Sequence, residues 1–149
     1  MQIMTNSGWI YNGIIYELPA DVTHKELYGF VYEIRNLDTD KKYIGKKLFW
    51  SMKTRQVKKK KKRKRVESDW KSYYGSSKLL CEDIASMGTE RFQRTILYLC
   101  KSKSECSYLE LKEQINRDVL LRDDYYNRWV QVKVRKDHIK GLHKNENML

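Results

Sequence analysis

Proline, cysteine and long apolar runs are all scarce in this sequence. Its 149 residues include one proline and three cysteines, Cys81, Cys100 and Cys106, with no Cys-x-x-Cys pair and no histidine nearby. This spacing argues against a zinc module and predicts buried thiols in a reducing compartment. No apolar run approaches the ~18 residues of a membrane span, and no basic cluster precedes an apolar stretch at the N-terminus. We therefore expect a cytoplasmic protein that is not embedded in a membrane.

Acidic residues are also few, because 31 Lys and Arg face 19 Asp and Glu, and the net charge is +12. Hydrophobic residues make up 40% of the chain and aromatic residues 12%. A chain of this length and composition can bury a core of its own, which excludes fibrous and wholly disordered proteins. The sequence therefore predicts one globular domain with a strongly basic surface.

The positive charge is concentrated in one uninterrupted run, without which the net charge would be +4. Like charges repel and nothing apolar is present to bury, so we expect a solvated loop over residues 53–65. Such a loop can bind DNA by neutralising phosphates without sequence preference. A plain surface loop or a localisation signal would also fit it. The proposed DNA-binding residues are Lys58, Lys59, Lys60, Lys61, Lys62, Arg63, Lys64 and Arg65.

The first half of the chain has the patterns of two β-hairpins. Asn12-Gly13 separates two short apolar runs, which is a strong hairpin signal. A second pair of β-like runs, residues 28–35 and 41–48, flanks a polar turn. We therefore expect hairpins over residues 8–18 and 28–48.

The second half alternates helix and strand patterns. Ser76 or Ser77 can cap a helix that stops at Gly88, and residues 91–100 have the pattern of a strand. A capping box at Ser102 opens a helix whose apolar residues continue through Leu121, and residues 129–134 alternate like a last strand. This order predicts an α+β fold, a small, mostly antiparallel sheet flanked by helices.

Two tyrosine-bearing strands and the segments after them resemble the GIY-YIG nuclease superfamily, and most closely its phage Seg-type homing endonucleases. The resemblance runs from Phe30-Val-Tyr-Glu-Ile-Arg-Asn36 and Lys42-Tyr-Ile-Gly-Lys46 through residues 70–77 and 88–92 to Tyr125-Tyr-Asn127. The first motif departs from the family name, because Phe30 and Val31 stand where it has Gly and Ile. The resemblance implies a nuclease domain over residues 28–134, an N-terminal hairpin extension over 1–27 and a polar tail over 135–149.

This resemblance implies that Tyr32 and Tyr43 are catalytic. One would act as a base or proton relay for the attacking water, while the other orients the phosphate. An ordinary phenol has a pKa near ~10, so a tyrosine base needs nearby cations. Lys46 or Lys47 could supply one, and because they alternate on a strand only one of them can face the site.

The phosphate-binding arginine of the superfamily lies on a helix soon after Tyr-Ile-Gly, and its counterpart here is open. Arg55 is the nearest arginine, and Lys71 and Tyr74 are alternatives. The three are not equivalent, because an arginine can bind a phosphate through two parallel hydrogen bonds.

The resemblance also implies one metal-binding glutamate and one positioning asparagine. Glu110 stands seventeen residues before Asn127, which fits the family spacing, and Glu113 is its competitor. One carboxylate is sufficient to bind Mg²⁺, or Mn²⁺, because such ions keep several waters. Asn127 would orient or tie down the site.

These observations favour a metal-dependent DNA endonuclease of homing or DNA-processing type, acting in the cytoplasm of an infected bacterial host. Two alternatives remain open. One is a catalytically inactive nucleic-acid-binding domain of the same fold, and the other is a protein whose basic run contacts an acidic host partner. The oligomeric state is not defined by the sequence.

Overall fold

The computed structural model describes residues 8–131 and has the predicted α+β fold. The elements are β1 (Trp9–Tyr11), β2 (Ile14–Ile15), β3 (Gly29–Asn36), β4 (Lys42–Leu48), β5 (Trp50–Val57), β6 (Lys60–Glu67), α1 (Lys78–Met87), β7 (Phe92–Cys100) and α2 (Lys103–Asn116). Five strands form one mixed sheet in the order β2-β1-β7-β3-β4, and β5 and β6 form a separate two-stranded ribbon.

Strand β3 lies in the middle of the sheet and pairs antiparallel with β4 on one side and with β7 on the other. Strand β4 is therefore an edge strand. Residues of β3 alternate between the two faces, so Phe30, Tyr32 and Ile34 pack on one side of the sheet and Val31 on the other. The predicted second hairpin and the predicted strand over residues 91–100 are confirmed.

The N-terminal hairpin is confirmed, with Asn12 and Gly13 in the left-handed region at φ 51° and 83°. It is not a separate appendage, because β1 pairs with β7 in the central sheet. Its Trp9 is 1% exposed, and its ring lies 4.8 Å from that of Phe30. The boundary predicted at residue 27 therefore does not separate two packing units.

The core has two layers, one on each face of the sheet. Trp70 is buried in the layer that contains Tyr32 and Leu80 of α1, as expected of a core tryptophan. The opposite layer packs Val31 and Ile44 against α2, where Cys100 and Cys106 are buried. The prediction of buried thiols is wrong for Cys81, which is exposed on α1 with its Sγ 3.7 Å from the Gly75 carbonyl oxygen.

The helix starts follow the predicted caps. Leu80 N–H donates to the Ser77 hydroxyl at the start of α1, which ends at Met87 with Gly88 as its C-cap. Glu105 N–H donates likewise to Ser102 at the start of α2. The predicted extension of α2 to Leu121 is wrong, because Asp118 takes a left-handed φ of 51° and turns the chain. Val119 is still buried after that turn, which explains its helix-like spacing.

The basic stretch is not the irregular loop predicted from its charge. Strands β5 and β6 form a continuous antiparallel ladder from Trp50↔Glu67 to Val57↔Lys60, with nearly every side chain exposed. A ribbon accommodates this charge because its side chains point alternately into solvent on two open faces. We call residues 50–67 the basic ribbon.

The predicted last strand, residues 129–134, lies partly outside the described residues, and its described part, residues 129–131, forms no strand. The predicted tail, residues 135–149, also lies outside them. Within residues 8–131, neither helix has the length and apolar character needed to span a membrane.

Candidate active site

A cavity of about 550 Å³ opens at the edge of β4, where side chains from both faces of the sheet meet. Tyr32 and Tyr43 enter it from one face, and Lys46 and Glu110 enter from the other. The start of α1 forms another wall. Further polar and aromatic lining comes from Ser76, Ser77, Lys78, Gln114, Tyr126, Arg128, Trp129 and Gln131.

The two predicted tyrosines are neighbours, with ring centroids 6.1 Å apart. Tyr32 is 1% exposed, whereas Tyr43 is half-buried and its Oη lies 3.5 Å from Ser76 Oγ. Gly45 is opposite Tyr32 in the β3–β4 ladder and leaves room for both rings. The structure thus brings the predicted pair to one cavity.

Both phenols are stabilised in their protonated form. Burial, with a smaller contribution from Tyr73, raises the pKa of Tyr32 well above its ordinary value. Burial also raises the pKa of Tyr43, and a hydrogen bond with Ser76 partly opposes this. The expected lowering of a tyrosine pKa by Lys46 or Lys47 is therefore wrong for this structure, and both hydroxyls are available as donors at neutral pH.

Glu110 is the acidic member of the cavity lining. Its side chain is 18% exposed, and Lys46 Nζ lies 4.0 Å from its Oε1 while donating a 2.7 Å hydrogen bond to Ser107. Burial raises the pKa of the Glu110 carboxyl, and Lys46 partly opposes that rise. Glu110 is therefore a poorly solvated carboxylate that a further cation would stabilise.

Glu113, the competing glutamate, is engaged elsewhere. It accepts a 2.6 Å hydrogen bond from Tyr98 Oη and pairs with Arg117 Nε at 2.8 Å. Glu113 lies about 60° around α2 from Glu110, and its contacts with Tyr98 and Arg117 hold its carboxylate outside the cavity lining. The geometry thus separates two glutamates that the periodicity of the sequence did not.

Five other predicted catalytic residues do not line the cavity, and one of them, Asn127, is described below. Lys47 pairs with Asp69 at 2.7 Å and lies over the Tyr73 ring. Arg55 is in the basic ribbon, and Lys71 pairs with Glu67 at 3.9 Å. Tyr74 stacks under the guanidinium of Arg94 at 4.0 Å. The structure therefore brings none of these side chains to Tyr43 and Glu110.

Asn127 closes the open edge of β4. Ile44 N–H donates to its Oδ1 at 3.0 Å, and its Nδ2 donates to the Ile44 carbonyl at 2.8 Å. Gln114 of α2 donates to the same carbonyl at 3.1 Å. These bonds satisfy backbone groups that an edge strand leaves free, and they fix the strand between Tyr43 and Gly45.

Two cations of the cavity, Lys78 and Arg128, were not predicted from the sequence. Lys78 is the first residue of α1, directly after the cap at Ser77. The predicted helix start could therefore have identified it as a candidate for binding an anion. Arg128 directly follows Asn127 and carried no independent signal. Trp129, which is 67% exposed, was also missed because residues 129–134 had the pattern of a strand.

The donor set of the cavity fits a hard divalent cation held by few protein ligands. Glu110 offers a carboxylate, and Gln114 and the neighbouring hydroxyls offer further oxygens. Among residues 8–131, no group of three or more His, Cys, Asp and Glu side chains could hold a metal ion. Any cation at Glu110 would therefore keep most of its waters or take substrate oxygens as ligands.

Comparison with protein families matches residues 9–130 to the family described as "Putative endonuclease segE, GIY-YIG domain". The fold is thus that of a GIY-YIG domain. The chain belongs to the segE family of GIY-YIG endonucleases.

One curated relative is "Putative endonuclease segE" of Enterobacteria phage T4, which is 32% identical over 101 residues. The match covers 68% of this chain but 40% of the relative, so the chain corresponds to less than half of that protein. No solved structure matches the chain significantly.

Proposed function

We propose that this protein is a DNA endonuclease that hydrolyses phosphodiester bonds in the cavity at the edge of β4 and depends on a divalent cation. The observation that carries the proposal is the meeting of Glu110 and Lys46 from one face of the sheet with Tyr32 and Tyr43 from the other. Membership of an endonuclease family supports the reaction class and the DNA substrate.

Lys46, Lys78 and Arg128 are proposed to bind the scissile phosphate. All three line the cavity, and Lys78 stands at the N-terminus of α1, where the helix dipole also favours an anion. Arg128 can bind two phosphate oxygens in parallel. Lys78 is our candidate for the role of the helix arginine in related nucleases, because α1 is the first α-helix after Tyr-Ile-Gly.

Tyr43 is proposed as the proton relay and Tyr32 as the orienting donor. The Tyr43 hydroxyl is half-buried next to the exposed Ser76. It can accept a proton from the attacking water while passing its own proton to the Ser76 hydroxyl, which releases one to solvent. Tyr32 is nearly fully buried and its pKa is raised well above the ordinary value, so it stays protonated and can donate to a phosphate oxygen.

Glu110 is proposed to hold the cation, Mg²⁺ or Mn²⁺. A bound divalent cation supplies Lewis-acid stabilisation of the charge that develops on the phosphate oxygens and the leaving group. Lys46 keeps Glu110 oriented from 4.0 Å away, and Asn127 holds the β4 backbone that presents Tyr43. The basic ribbon is proposed to attract the duplex through its phosphates.

The phage source of the matched relative supports a further part of this proposal, a homing or DNA-processing role in the cytoplasm of an infected bacterium. The alternative of a catalytically inactive domain rested on Phe30, Val31 and the missing arginine. Phe30 and Val31 are fully buried outside the cavity lining, so these departures fill the core and remove no group from the site.

The test is cleavage of supercoiled plasmid by wild type, Glu110→Gln and Glu113→Gln, with Mg²⁺, with Mn²⁺ and with chelator. We expect wild type and Glu113→Gln to nick or linearise the plasmid with metal only, and Glu110→Gln to lose at least about a hundredfold in rate. Thermal melting confirms that each variant is folded. An intact plasmid with wild type under all conditions, or an active Glu110→Gln, would overturn the proposal.

A further inference from the structure

The two faces of the basic ribbon carry different chemistry. Paired residues of an antiparallel ladder share a face, so the register assigns every side chain of β5 and β6 to one side. One side, the cationic face, carries Lys53, Arg55, Lys60, Lys62 and Lys64, together with the uncharged Ser51, Val57 and Val66. The other side, the mixed face, carries Trp50, Met52, Thr54, Gln56, Lys61, Arg63, Arg65 and Glu67.

The cationic face places like charges directly opposite each other. Lys53 pairs with Lys64 and Arg55 with Lys62. Directly opposed like charges destabilise a two-stranded ladder. The acidic residue of the two strands, Glu67, lies at the base on the opposite face, where it pairs with Lys71. The cationic face is therefore built for a polyanion, which would relieve the repulsion.

The mixed face pairs each cation with a neutral side chain. Gln56 is opposite Lys61, Thr54 opposite Arg63 and Met52 opposite Arg65. Arginine can bind guanine through two hydrogen bonds, glutamine can do the same with adenine, and threonine or methionine can contact the methyl group of thymine. These residue types, at a regular spacing and all exposed, are those that distinguish base pairs.

The dimensions of the ribbon fit the major groove. Its eight-residue strands extend ~26 Å, and a two-stranded ribbon fits a groove about 12 Å wide. With the mixed face toward the groove floor, the cationic face points out of the groove, between the phosphates that line its two rims. The long lysine side chains can reach sideways to them.

The ribbon is also joined closely to the cavity. Lys46 lines the cavity, and β5 begins four residues later at Trp50, whose Nε1 donates a 2.8 Å hydrogen bond to the Leu27 carbonyl. The base of the ribbon is thus anchored to the domain about 13 Å from the cavity along the chain. A duplex held by the ribbon would pass next to Tyr43 and Glu110.

We propose that the basic ribbon is a sequence reader, with Thr54, Gln56, Arg63 and Arg65 contacting base edges in the major groove and the cationic face contacting the flanking phosphates. This inference rests on the proposed DNA endonuclease function and deepens it. The GIY-YIG domain then selects its own target, in addition to any specificity contributed elsewhere.

The test is selection of bound DNA from a pool of duplexes with a randomised central segment, in chelator and in the Glu110→Gln background. Two charge-preserving double variants are compared, Arg63→Lys with Arg65→Lys on the mixed face and Lys62→Arg with Lys64→Arg on the cationic face. A third, Lys62→Gln with Lys64→Gln, is used for the salt dependence. Circular dichroism checks that each protein is folded.

We expect the Glu110→Gln protein to enrich a sequence motif. In the mixed-face variant, the preference for that motif over other DNA should fall at least about tenfold. The Lys62→Arg, Lys64→Arg protein should keep the motif. The Lys62→Gln, Lys64→Gln protein should also keep it, while the slope of log affinity against log salt falls by about 2.

No enriched motif, a motif unchanged in the mixed-face variant, or a motif lost only in a cationic-face variant would each overturn the inference. Plasmid cleavage by the wild-type protein distinguishes the two proposals. Cleavage without any motif leaves the endonuclease proposal standing and removes the reader. A motif without metal-dependent cleavage removes the endonuclease proposal and leaves the reader.

Discussion

Gly45 lies directly opposite Tyr32 across the β3–β4 ladder, and a Cβ atom on Gly45 would stand 2.5 Å from the Tyr32 phenol oxygen. It would also lie 2.9 Å from the ring of Tyr43. Both tyrosines can reach the cavity because this position has no side chain. The glycine that follows Tyr43-Ile44 thus shapes the site sterically.

We therefore expect Gly45→Ala to impair the site directly. The added methyl must displace the buried Tyr32 ring, which should lower the free energy of unfolding by about 1–3 kcal/mol and reduce cleavage. Chemical denaturation and plasmid nicking measure the two effects. Gly13→Ala is the control, because the turn at Gly13 is strained by a side chain but distant from the cavity. If Gly45→Ala cleaves as fast as Gly13→Ala, the steric role is wrong.

Arg94 is expected to hold the segment between the basic ribbon and α1. Its Nη1 donates to the carbonyls of Lys71 and Tyr73 at 2.9 and 2.8 Å, and its guanidinium stacks on Tyr74. Arg94→Lys keeps the charge but loses this geometry, and should destabilise the fold by about 2–4 kcal/mol. The exposed Arg91→Lys is the control and should change stability by less than about 0.5 kcal/mol. Equal denaturation midpoints would contradict this role.

The tip of the basic ribbon is conformationally strained. Lys58 and Lys59 both take left-handed φ angles, 50° and 64°. In the first hairpin the two residues with left-handed φ angles are Asn12 and Gly13. A non-glycine residue in this region costs roughly 1–2 kcal/mol. Lys58→Asn with Lys59→Gly should therefore slow hydrogen exchange of the ribbon amides by about tenfold or more. Unchanged exchange would show that the tip carries no such strain.

Glu110 is expected to make stability depend on pH. Burial raises its pKa in the folded protein above the value of about 4.3 for an unfolded chain. The folded state therefore binds the Glu110 proton more tightly than the unfolded chain does. The free energy of unfolding gained in this way is fully present below pH about 4.3 and is lost as the pH rises through the pKa of the folded protein. Glu110→Gln cannot ionise. The melting temperature of this variant minus that of wild type should therefore increase as the pH rises from about 4 to 7. A difference independent of pH, or one of opposite sign, would contradict the burial of this carboxylate.

Local signals predicted most of the fold because they were strong. Asn12-Gly13 defined one hairpin, and Ser77, Gly88 and Ser102 marked helix ends that the structure confirms. The basic ribbon was not predicted, because its turn has two lysines where a hairpin normally has Asn-Gly. Its strands also have no buried face, so their sequences show no alternation of apolar and polar residues. Repulsion between charges predicted a loop, but a ladder forms even though it places Lys53 opposite Lys64 and Arg55 opposite Lys62.

The candidate site was predictable only where its residues followed a motif. The resemblance pointed to Tyr32, Tyr43 and Glu110, which meet at one cavity. It could not separate Glu110 from Glu113, since that depends on which direction from α2 faces β4. It also could not identify Arg128, whose position depends on how the chain closes the β4 edge at Asn127.

The measurement that tests the central claim most directly is the single-turnover rate of plasmid cleavage by wild type, Tyr43→Phe, Glu110→Gln and the double variant. If Tyr43 and Glu110 form one hydrolytic site, each single variant should lose at least about a hundredfold and the double variant should be little slower than the worse single. Losses that multiply in the double variant, or a single variant that retains the wild-type rate, would contradict a shared site.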